Sequence, residues 1–394
     1  MMKSRNLTLK YSIHQAVYWS GYCGLYSFAA TYLLAKGYSA ATVGWILFFG
    51  NFISFLLQPI LADFADKAQK NVIPKLMCLL SVASVGCILA VRFVSMSTAV
   101  FALLYLAAIF TLDMQQPLLN SLNVYYTVRT WKINYALARA VGGLAFAGAS
   151  LALGYIMEGY SVDWMPVISA ALIIASAVLS ISYPKDESRL NSGVSAAEST
   201  SILKFFGKYG WYSASLAGIL LLALIHAMSE NYLIEILRPL GGDSSNVGIA
   251  LFIATIVEAP ATACFGYTYK KLGSRRILLI AGISFTVKMI LFALARSITA
   301  VYLIQLLQVA SYVMLSPVQM YYAQECTGTE DMVKGQSVIT AAYTLGCAFG
   351  NLFGGIIISA RGVGAMLLIA IALGAAGLLC IAVCVPKALK YHEV

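Results

Sequence analysis

Apolar stretches of about 20 residues recur along the whole chain and are separated by short polar segments. A helix of about 20 residues is long enough to cross the hydrocarbon core of a bilayer, so each stretch predicts one membrane-spanning helix. Twelve spans are predicted, at residues 11–34, 41–64, 73–93, 97–124, 132–157, 163–183, 209–237, 245–269, 276–295, 298–323, 334–359 and 363–385. The pattern therefore predicts an all-α integral membrane protein with 12 transmembrane helices.

One longer polar segment, at residues 184–208, interrupts the series of spans and holds much of the chain's clustered serine and charge. Six spans precede this segment and six follow it, as expected for two similar halves joined by a loop. The predicted organisation is an N-terminal six-helix bundle at 1–183, a cytoplasmic linker at 184–208 and a C-terminal six-helix bundle at 209–394.

Two short motifs repeat between the halves at nearly the same offset. The pair Val43-Gly44 recurs 204 residues later at Val247, and the motif that begins at Gly143 recurs 203 residues later at Gly346. Two separate matches at nearly the same offset favour a duplication, and an even number of helices in each half makes the repeat parallel. The halves are therefore expected to be related by a pseudo-twofold axis normal to the membrane.

Composition excludes an ordinary soluble globule. The 394-residue chain is 60% hydrophobic and 11% charged, with a mean hydropathy of +0.82, whereas soluble domains are about 25% charged. The net charge of +10 predicts no nucleic-acid partner, because the basic residues lie in short loops between spans. With the N-terminus inside, 19 of the 26 Lys and Arg residues fall on the cytoplasmic side and five on the other. This bias predicts a multi-pass protein of the cell (plasma or inner) membrane with both termini cytoplasmic.

No motif points to catalysis or to a bound cofactor. The eight cysteines and three histidines show no metal-ligand spacing, and neither a P-loop nor a dinucleotide-binding motif is present. The interpretation is that the chain is not an enzyme and holds no metal or cofactor.

Polar and ionisable residues inside the spans are the strongest functional signal, because a charge in the bilayer core is costly and usually faces a pathway. In the fourth span Asp113, Gln116, Asn120 and Asn123 follow one another at spacings of three, four and three, which places them on one helix face. This face is predicted to line a solute cavity. The alternative for the amides is hydrogen bonding between helices that only stabilises the bundle.

The fifth and tenth spans supply further candidate solute contacts. Arg139 is predicted to bind a hydroxyl or a carboxylate of the solute through its fork of donors, and Phe146 lies on roughly the same face. The alternative for Arg139 is a structural ion pair with Asp113. Gln308 belongs to a polar face of the tenth span, which lines the cavity or bonds a neighbouring helix.

Four ionisable residues of the second half form the predicted proton-coupling site. His226 and Glu230 lie one helical turn apart, and Glu258 and Lys288 lie well inside their spans. Glu258 is predicted to exchange the proton, assisted by Asp113 or by the His226–Glu230 pair. A fixed ion pair between Glu258 and Lys288 is the alternative.

A charged tail follows the second span, and it carries a recognisable motif. Gln58-Pro59 precedes the run Ala62-Asp63-Phe64-Ala65-Asp66-Lys67, and a weaker copy runs from Gly266 to Arg276. With this motif, the two halves and the buried charges, the chain resembles the major facilitator superfamily (MFS). Within this superfamily it is most similar to the branch of lactose permease-type and phenylpropionate permease-type transporters, the oligosaccharide:proton symporter-like branch. The tail is predicted to form a cytoplasmic gate, with the residues Asp63, Asp66, Lys67 and Lys70.

Carried over to this sequence, the resemblance implies that Arg139 binds a sugar, that Phe146 stacks on its ring and that Lys288 belongs to a coupling network. The chain departs from the branch where a sugar-binding glutamate, a coupling histidine and a coupling glutamate are expected, at Ser121 or Asn120, Gln308 and Ser311. Galactoside recognition and an identical proton relay are therefore not implied.

These observations predict a secondary active transporter that takes up a small organic solute, such as a sugar, nucleoside or organic acid, by alternating access. A proton gradient would supply the energy, and the bilayer-embedded monomer would be the working unit. The predicted solute site comprises Arg139, Gln116, Asn120, Asn123, Phe146 and Gln308. Two alternatives stay open: an efflux antiporter for amphipathic compounds, and a non-transporting membrane sensor.

Overall fold

A computed structural model describes residues 2–67, 72–94, 97–128, 133–184, 202–328 and 331–390. These residues are nearly all helical, and no strand occurs among them. The helices are α1 (Met2–Tyr22), α2 (Ala29–Ala35), α3 (Ala40–Lys67), α4 (Val72–Phe93), α5 (Thr98–Asp113), α6 (Gln115–Val128), α7 (Tyr135–Gly159), α8 (Trp164–Ile181), α9 (Ile202–Lys208), α10 (Gly210–Asn231), α11 (Leu233–Leu237), α12 (Ser244–Leu294), α13 (Ile298–Gln305), α14 (Tyr312–Cys326) and α15 (Met332–Lys390).

The helices follow the predicted spans closely. Within the described ranges, nine helical segments are long and apolar enough to cross a membrane. Two of them cover two predicted spans each, because α12 contains Gly273 at φ 70° and α15 contains Gly362 at φ 78°. Helical residues have a negative φ, whereas glycine readily adopts a positive one. Each of these long elements is therefore divided at its glycine into two spans.

Every third predicted span is interrupted, although the sequence predicts continuous helices. A π-helix at Cys23–Ser27 divides the first span, Met114 the fourth, Tyr232 the seventh, and a 3-10 helix at Leu306–Val309 the tenth. One interruption has a direct cause, since Pro117 has no N–H to donate to the carbonyl four residues earlier. The chain therefore breaks before α6, and Pro117 falls in the first turn of α6, where no intrahelical donor is needed.

Three local features recur at the offset of 204 residues that the sequence repeat shows: a helix interruption, a glycine with positive φ and a helix N-cap. The pairs are Phe28 and Tyr232, Gly37 (φ 86°) and Gly241 (φ 79°), and Ser39 and Asp243. Each N-cap side chain accepts a hydrogen bond from the backbone N–H three residues later, at 3.2 Å and 3.0 Å. The repeat thus extends from two sequence matches to the local backbone.

The chain folds into two compact units. The first unit comprises the described residues of Met1–Ser192 together with Gly242–Ile256, and the second comprises those of Gly193–Gly241 together with Val257–Val394. The predicted bundle boundaries at 183 and 209 stay predictions, and the first unit contains in addition the beginning of α12.

The beginning of α12 packs tightly on α7 inside the first unit. A Cβ atom on Gly154 would lie 2.7 Å from the carbonyl oxygen of Ser244 and 3.0 Å from the α-carbon of Gly248. The hydroxyl of Ser150 donates to the carbonyl of Gly248 at 3.2 Å, and the Glu158 carboxylate accepts from the N–H of Ser244 at 3.3 Å. Small residues on both helices allow this backbone approach.

Helix α9 occupies the last residues of the predicted linker, where no membrane span is predicted from the sequence. Its Phe205 is buried and packs on Tyr209 and Tyr212 with ring centroids 5.0 Å and 6.2 Å apart. A helix this short is not stable alone. The packing of the Phe205 ring on these two tyrosines therefore stabilises α9.

Candidate functional site

Four polar side chains of the second unit form a connected cluster, which we call the buried ion network: Glu230, Glu258, Lys288 and Gln308. Lys288 is fully buried, and its Nζ donates to Glu230 Oε1 at 2.7 Å and to Gln308 Oε1 at 2.8 Å. The Nε2 of Gln308 in turn donates to Glu258 Oε1 at 3.1 Å. A buried ammonium is tolerated only when it is paired and hydrogen-bonded, and both conditions hold here.

The network draws on four separate stretches of chain. Glu230 lies on the last turn of α10, Gln308 lies in the 3-10 interruption after α13, and Glu258 and Lys288 lie on the two parts of α12. The sequence identifies all four residues, but it leaves open an ion pair between Glu258 and Lys288. That alternative is wrong in its pairing, because the salt-bridge partner of Lys288 is Glu230.

Two further polar groups with unused hydrogen-bonding capacity lie in the second unit. His226 stacks on Tyr312 and meets Phe285 edge-on, with centroids 5.0 Å and 5.5 Å apart. Among the described residues, its Nδ1 has no hydrogen-bond partner, and the amide of the fully buried Gln305 lies beside Glu230 without a hydrogen bond of normal geometry. Buried groups of this kind are rare in a purely structural core and are typical of a polar pathway.

The two units differ in charge at positions matched by the 204-residue offset. Tyrosine and serine side chains in the first unit stand where the second unit has acidic or basic ones. The matched pairs are Tyr22 and His226, Tyr26 and Glu230, Ser54 and Glu258, and Ser84 and Lys288. At these matched positions only the second unit has a carboxylate, an ammonium or an imidazole. The ionisable side chains are therefore concentrated in the second unit, and the first unit has neutral polar side chains in their place.

The first unit has an aromatic row on α1 and the π-helix that follows it, formed by Trp19, Tyr22 and Tyr26. Tyr22 meets Trp19 edge-on with centroids 5.3 Å apart and stacks on Tyr26 at 4.9 Å. Asn51 donates to the hydroxyl of Tyr26 at 2.7 Å. All three rings are half-buried. Their contacts hold them in place, and part of each ring surface stays accessible.

Arg139 is held against the aromatic row. Its guanidinium carbon lies 4.1 Å from the centroid of the Trp19 ring, a cation–π contact. The indole N–H of Trp19 donates to Gln15 at 2.9 Å, and Gln15 donates to the Tyr11 hydroxyl at 2.9 Å. In the part of the chain that the structure describes, Arg139 and Asp113 form no ion pair, so the alternative of a structural pair is wrong.

The polar face predicted on the fourth span is divided by the interruption at Met114. Asp113 ends α5 and is buried beside the Ser54 hydroxyl, whereas the other three residues lie on α6. Asn120 is exposed and accepts from the Tyr135 hydroxyl at 3.3 Å.

The remaining predicted contacts of the first unit are half-buried, and they are Gln116, Asn123 and Phe146. Within the described ranges, the buried Oδ1 of Asn123 has no hydrogen-bond partner. Asn123 is therefore the amide of this face with the clearest unused capacity to bind a polar ligand.

The predicted gate lies largely outside the described residues. Helix α3 includes Asp63, Asp66 and Lys67, but their side chains are not among those described, and neither is any part of Lys70. The gate therefore stays a prediction.

Sequence reasoning missed the aromatic row, and it placed Gln305 on the polar face of the tenth span without predicting a role for it. Aromatic residues count as apolar when spans are predicted, so the first span carried no polar signal. The signal that was available is the spacing of Trp19, Tyr22 and Tyr26, which are three and then four residues apart and share one face. Gln305 lies one turn before Gln308 on the polar face of the tenth span, but its burial depends on tertiary packing.

A nearly all-helical chain with many apolar segments long enough to cross a membrane and ionisable groups buried among them is typical of a multi-pass membrane transporter. Comparison with known proteins gives its family: residues 8–383 match the MFS_1 like family, and the chain belongs to it. A maltose permease of Geobacillus stearothermophilus is 24% identical over 338 residues, which cover 84% of this chain and 82% of the permease.

Solved transporter structures share the fold. The nucleoside transporter NupG superposes with a TM-score of 0.79 at 14% identity, over 98% of this chain and 100% of NupG. A bacterial homologue of the human lysosomal transporter Spinster, in an inward-facing and occupied conformation, superposes with a TM-score of 0.64 at 15% identity, over 99% and 96%. These matches confirm the predictions of an all-α MFS fold and of a secondary transporter for small solutes, and the relatives are not enzymes.

Proposed function

We propose that this transporter is a proton-coupled importer of a small organic solute, such as a sugar, a nucleoside or an organic acid, and works by alternating access. The buried ion network carries the proposal. With Glu230, Glu258 and Lys288 all charged, the network has a net charge of −1, which one proton on a carboxylate would neutralise. Because net charge is costly in the bilayer core, that proton would change the relative free energies of the conformations.

Glu258 is the proposed proton-exchanging residue, with His226, Glu230 and Asp113 assisting. Protonating Glu230 would disrupt its ion pair with Lys288, whereas protonating Glu258 would leave that ion pair intact. Lys288 then acts as the fixed positive charge that keeps Glu230 ionised. Proton exchange at Glu258 therefore disturbs the network least.

The proposed solute contacts of the first unit are Arg139 and the aromatic row, together with the predicted residues Gln116, Asn120, Asn123 and Phe146. Gln308 stays the proposed contact from the second unit. Aromatic faces stack on sugar and nucleobase rings, and a guanidinium binds hydroxyl or carboxylate groups through its fork of donors. Maltose and nucleosides, the solutes in the names of two similar transporters, have both a ring face and several hydroxyls.

The orientation and the gate are part of the same proposal. The excess of Lys and Arg in alternate loops supports cytoplasmic termini in the cell (plasma or inner) membrane. Asp63, Asp66, Lys67 and Lys70 are then proposed as the cytoplasmic gate of a transporter that works as a monomer.

Replacing Glu258 with glutamine is expected to abolish gradient-driven accumulation while leaving solute exchange close to wild type. Glutamine keeps the shape and the hydrogen-bonding capacity of the side chain, but it cannot bind and release a proton as a carboxylate does. Proteoliposomes are loaded with buffer, an inward gradient of about one pH unit is imposed, and uptake of labelled maltose, uridine and 3-phenylpropionate is measured. One proton per neutral solute allows about tenfold accumulation in the wild type, and the variant should give a ratio of about one.

The matched control is Glu235→Gln, which removes a carboxylate of α11 that pairs with Arg238. This control should accumulate solute like the wild type. Gradient-driven accumulation by Glu258→Gln at the wild-type ratio would contradict the assignment of the proton site. If accumulation occurs only when the proton gradient is reversed, the efflux alternative is correct instead.

Replacing Trp19 with alanine is expected to raise KM about tenfold with little change in kcat, because one stacking surface is worth about 1 to 2 kcal/mol. Trp19→Phe should restore most of the affinity. Initial rates of exchange across a range of solute concentrations give both constants for the solute found in the panel.

The control is Trp45→Ala, since Trp45 lies on α3, is 44% exposed and stacks on Phe49, whereas the cation–π contact of Arg139 is with Trp19. An unchanged KM in Trp19→Ala, or an equal increase of KM in both variants, would contradict the proposal that the aromatic row belongs to the solute site.

A further inference from the structure

A cavity of about 400 Å³ lies in the second unit, where α10 begins and α14 and α15 end. None of the residues that line it belongs to the buried ion network. Its lining residues are Gly207, Lys208, Tyr209, Gly210, Trp211, Tyr212, Ala214, Cys326 and Ala388. Most of this lining is apolar, and its polar part is basic.

One lysine lines the cavity, and a second lies against a tryptophan of its wall. Lys208 lines it with a side chain that is 50% exposed, and Lys387 is exposed with its Nζ 4.0 Å from the centroid of the Trp211 ring. The adjacent carboxylate, Asp331, is already bound, by Lys208 at 2.9 Å and by the Tyr209 hydroxyl at 3.1 Å.

Two more lysines, Lys204 and Lys334, and one more carboxylate, Glu325, lie in the same region. Lys204 is exposed on α9, Lys334 lies 3.7 Å from Asp331, and Glu325 accepts from the Tyr269 hydroxyl. The segments at and next to the cavity thus carry four lysines and two carboxylates, and both carboxylates already have partners. The cavity retains positive charge for an anionic ligand.

The position of the cavity along the helices matches a membrane–water boundary. The apolar span of α10 begins at Gly210, and that of α15 ends at Leu389. Trp211 is 42% exposed in the first turn of α10, and exposed tryptophans at span ends are typical of the headgroup level of a bilayer. The lysine count assigns this end to the cytoplasmic leaflet, where anionic lipids are enriched.

We propose that this cavity binds the head group of an anionic phospholipid, with Lys208 and Lys387 at the phosphodiester and Trp211 beside the glycerol. Its apolar wall, at Ala214, Cys326 and Ala388, favours a ligand with acyl chains over a free anion. The lipid would bridge α10 and α15 in the second unit and stabilise their packing.

The test uses the purified full chain, delipidated and titrated with dioleoyl phosphatidylglycerol, with dioleoyl phosphatidylcholine as the neutral comparison. Bound lipid is counted by native mass spectrometry. The wild type should retain phosphatidylglycerol preferentially, and Lys387→Gln should bind it about fivefold more weakly, the effect expected of one lysine at a membrane surface. Lys271→Gln removes the same charge from an exposed lysine of α12 outside the cavity and should leave binding unchanged.

A second variant tests the cavity without changing charge. Ala214→Leu narrows it from an exposed position and should also weaken phosphatidylglycerol binding. Equal retention of the two lipids by the wild type, or equal losses in Lys387→Gln and Lys271→Gln, would overturn the proposal. Competition by glycerol 3-phosphate as effective as that by the lipid would identify a soluble-anion site and overturn the lipid assignment.

Discussion

Replacing Lys288 with methionine is expected to destabilise the protein by about 3 to 5 kcal/mol and to abolish transport. Methionine has a similar volume but cannot pair with Glu230, which lies 2.7 Å from the Lys288 Nζ in the native protein. The variant leaves a buried carboxylate without its cation and the Gln308 oxygen without its donor. Unfolding is measured in detergent by denaturant titration, and transport is measured by exchange in proteoliposomes.

The double variant Lys288→Met with Glu230→Gln separates stability from function. Removing both charges together should restore most of the lost stability, because a neutral pair needs no compensation, while accumulation of solute stays lost. Lys271→Met, at an exposed lysine of the same helix, controls for the substitution itself. Wild-type stability in the single variant would contradict the ion pair, and normal accumulation by the double variant would contradict its role in coupling.

Replacing Gly346 with valine is expected to lower the free energy of unfolding by about 3 kcal/mol, because two helices must separate to admit the side chain. A Cβ at Gly346 would collide with the carbonyl oxygen of Leu220 and would lie 2.8 Å from the Cβ of Ala223, both on α10. A backbone carbonyl cannot rotate away as a side chain can. Thermal unfolding and the yield of monodisperse protein measure the effect.

The matched control is Gly143→Val, at the position that the 203-residue repeat pairs with Gly346. A Cβ there would meet no atom within 4 Å, so this variant should lose no stability and should gain a few tenths of a kcal/mol, because valine has a higher helix propensity than glycine. Similar losses of stability in both variants would contradict the close approach of α10 and α15.

The chemistry of the second unit could be predicted well from the sequence. Glu258, Lys288 and the His226–Glu230 pair stand out because ionisable residues are rare in apolar spans and need no alignment to be noticed. Their connectivity could not be predicted, since the Lys288–Glu230 pair joins residues 58 positions apart on different helices. Which of two carboxylates a lysine meets depends on how each helix is rotated about its axis.

The first unit was predicted less completely for a related reason. The fourth span reads as one helix, so Asp113 and three amides share a face; the break at Met114 divides that face between α5 and α6. For Arg139 the sequence left open an ion pair with Asp113 beside the predicted solute contact, whereas its guanidinium lies on Trp19. Aromatic rings carry no signal in a hydropathy pattern, although they can hold a cation as firmly as a surface carboxylate does.

By itself, the sequence determined the class of protein, the approximate positions of its spans and the residues that carry charge inside them. These features are local, because a bilayer requires each spanning segment to satisfy its own backbone hydrogen bonds within about 20 residues. The partner of Lys288, the contact of Arg139 and the unequal surroundings of Gly143 and Gly346 became known from the folded structure alone. Those features depend on distances between segments far apart in the chain, which no local pattern of residues specifies.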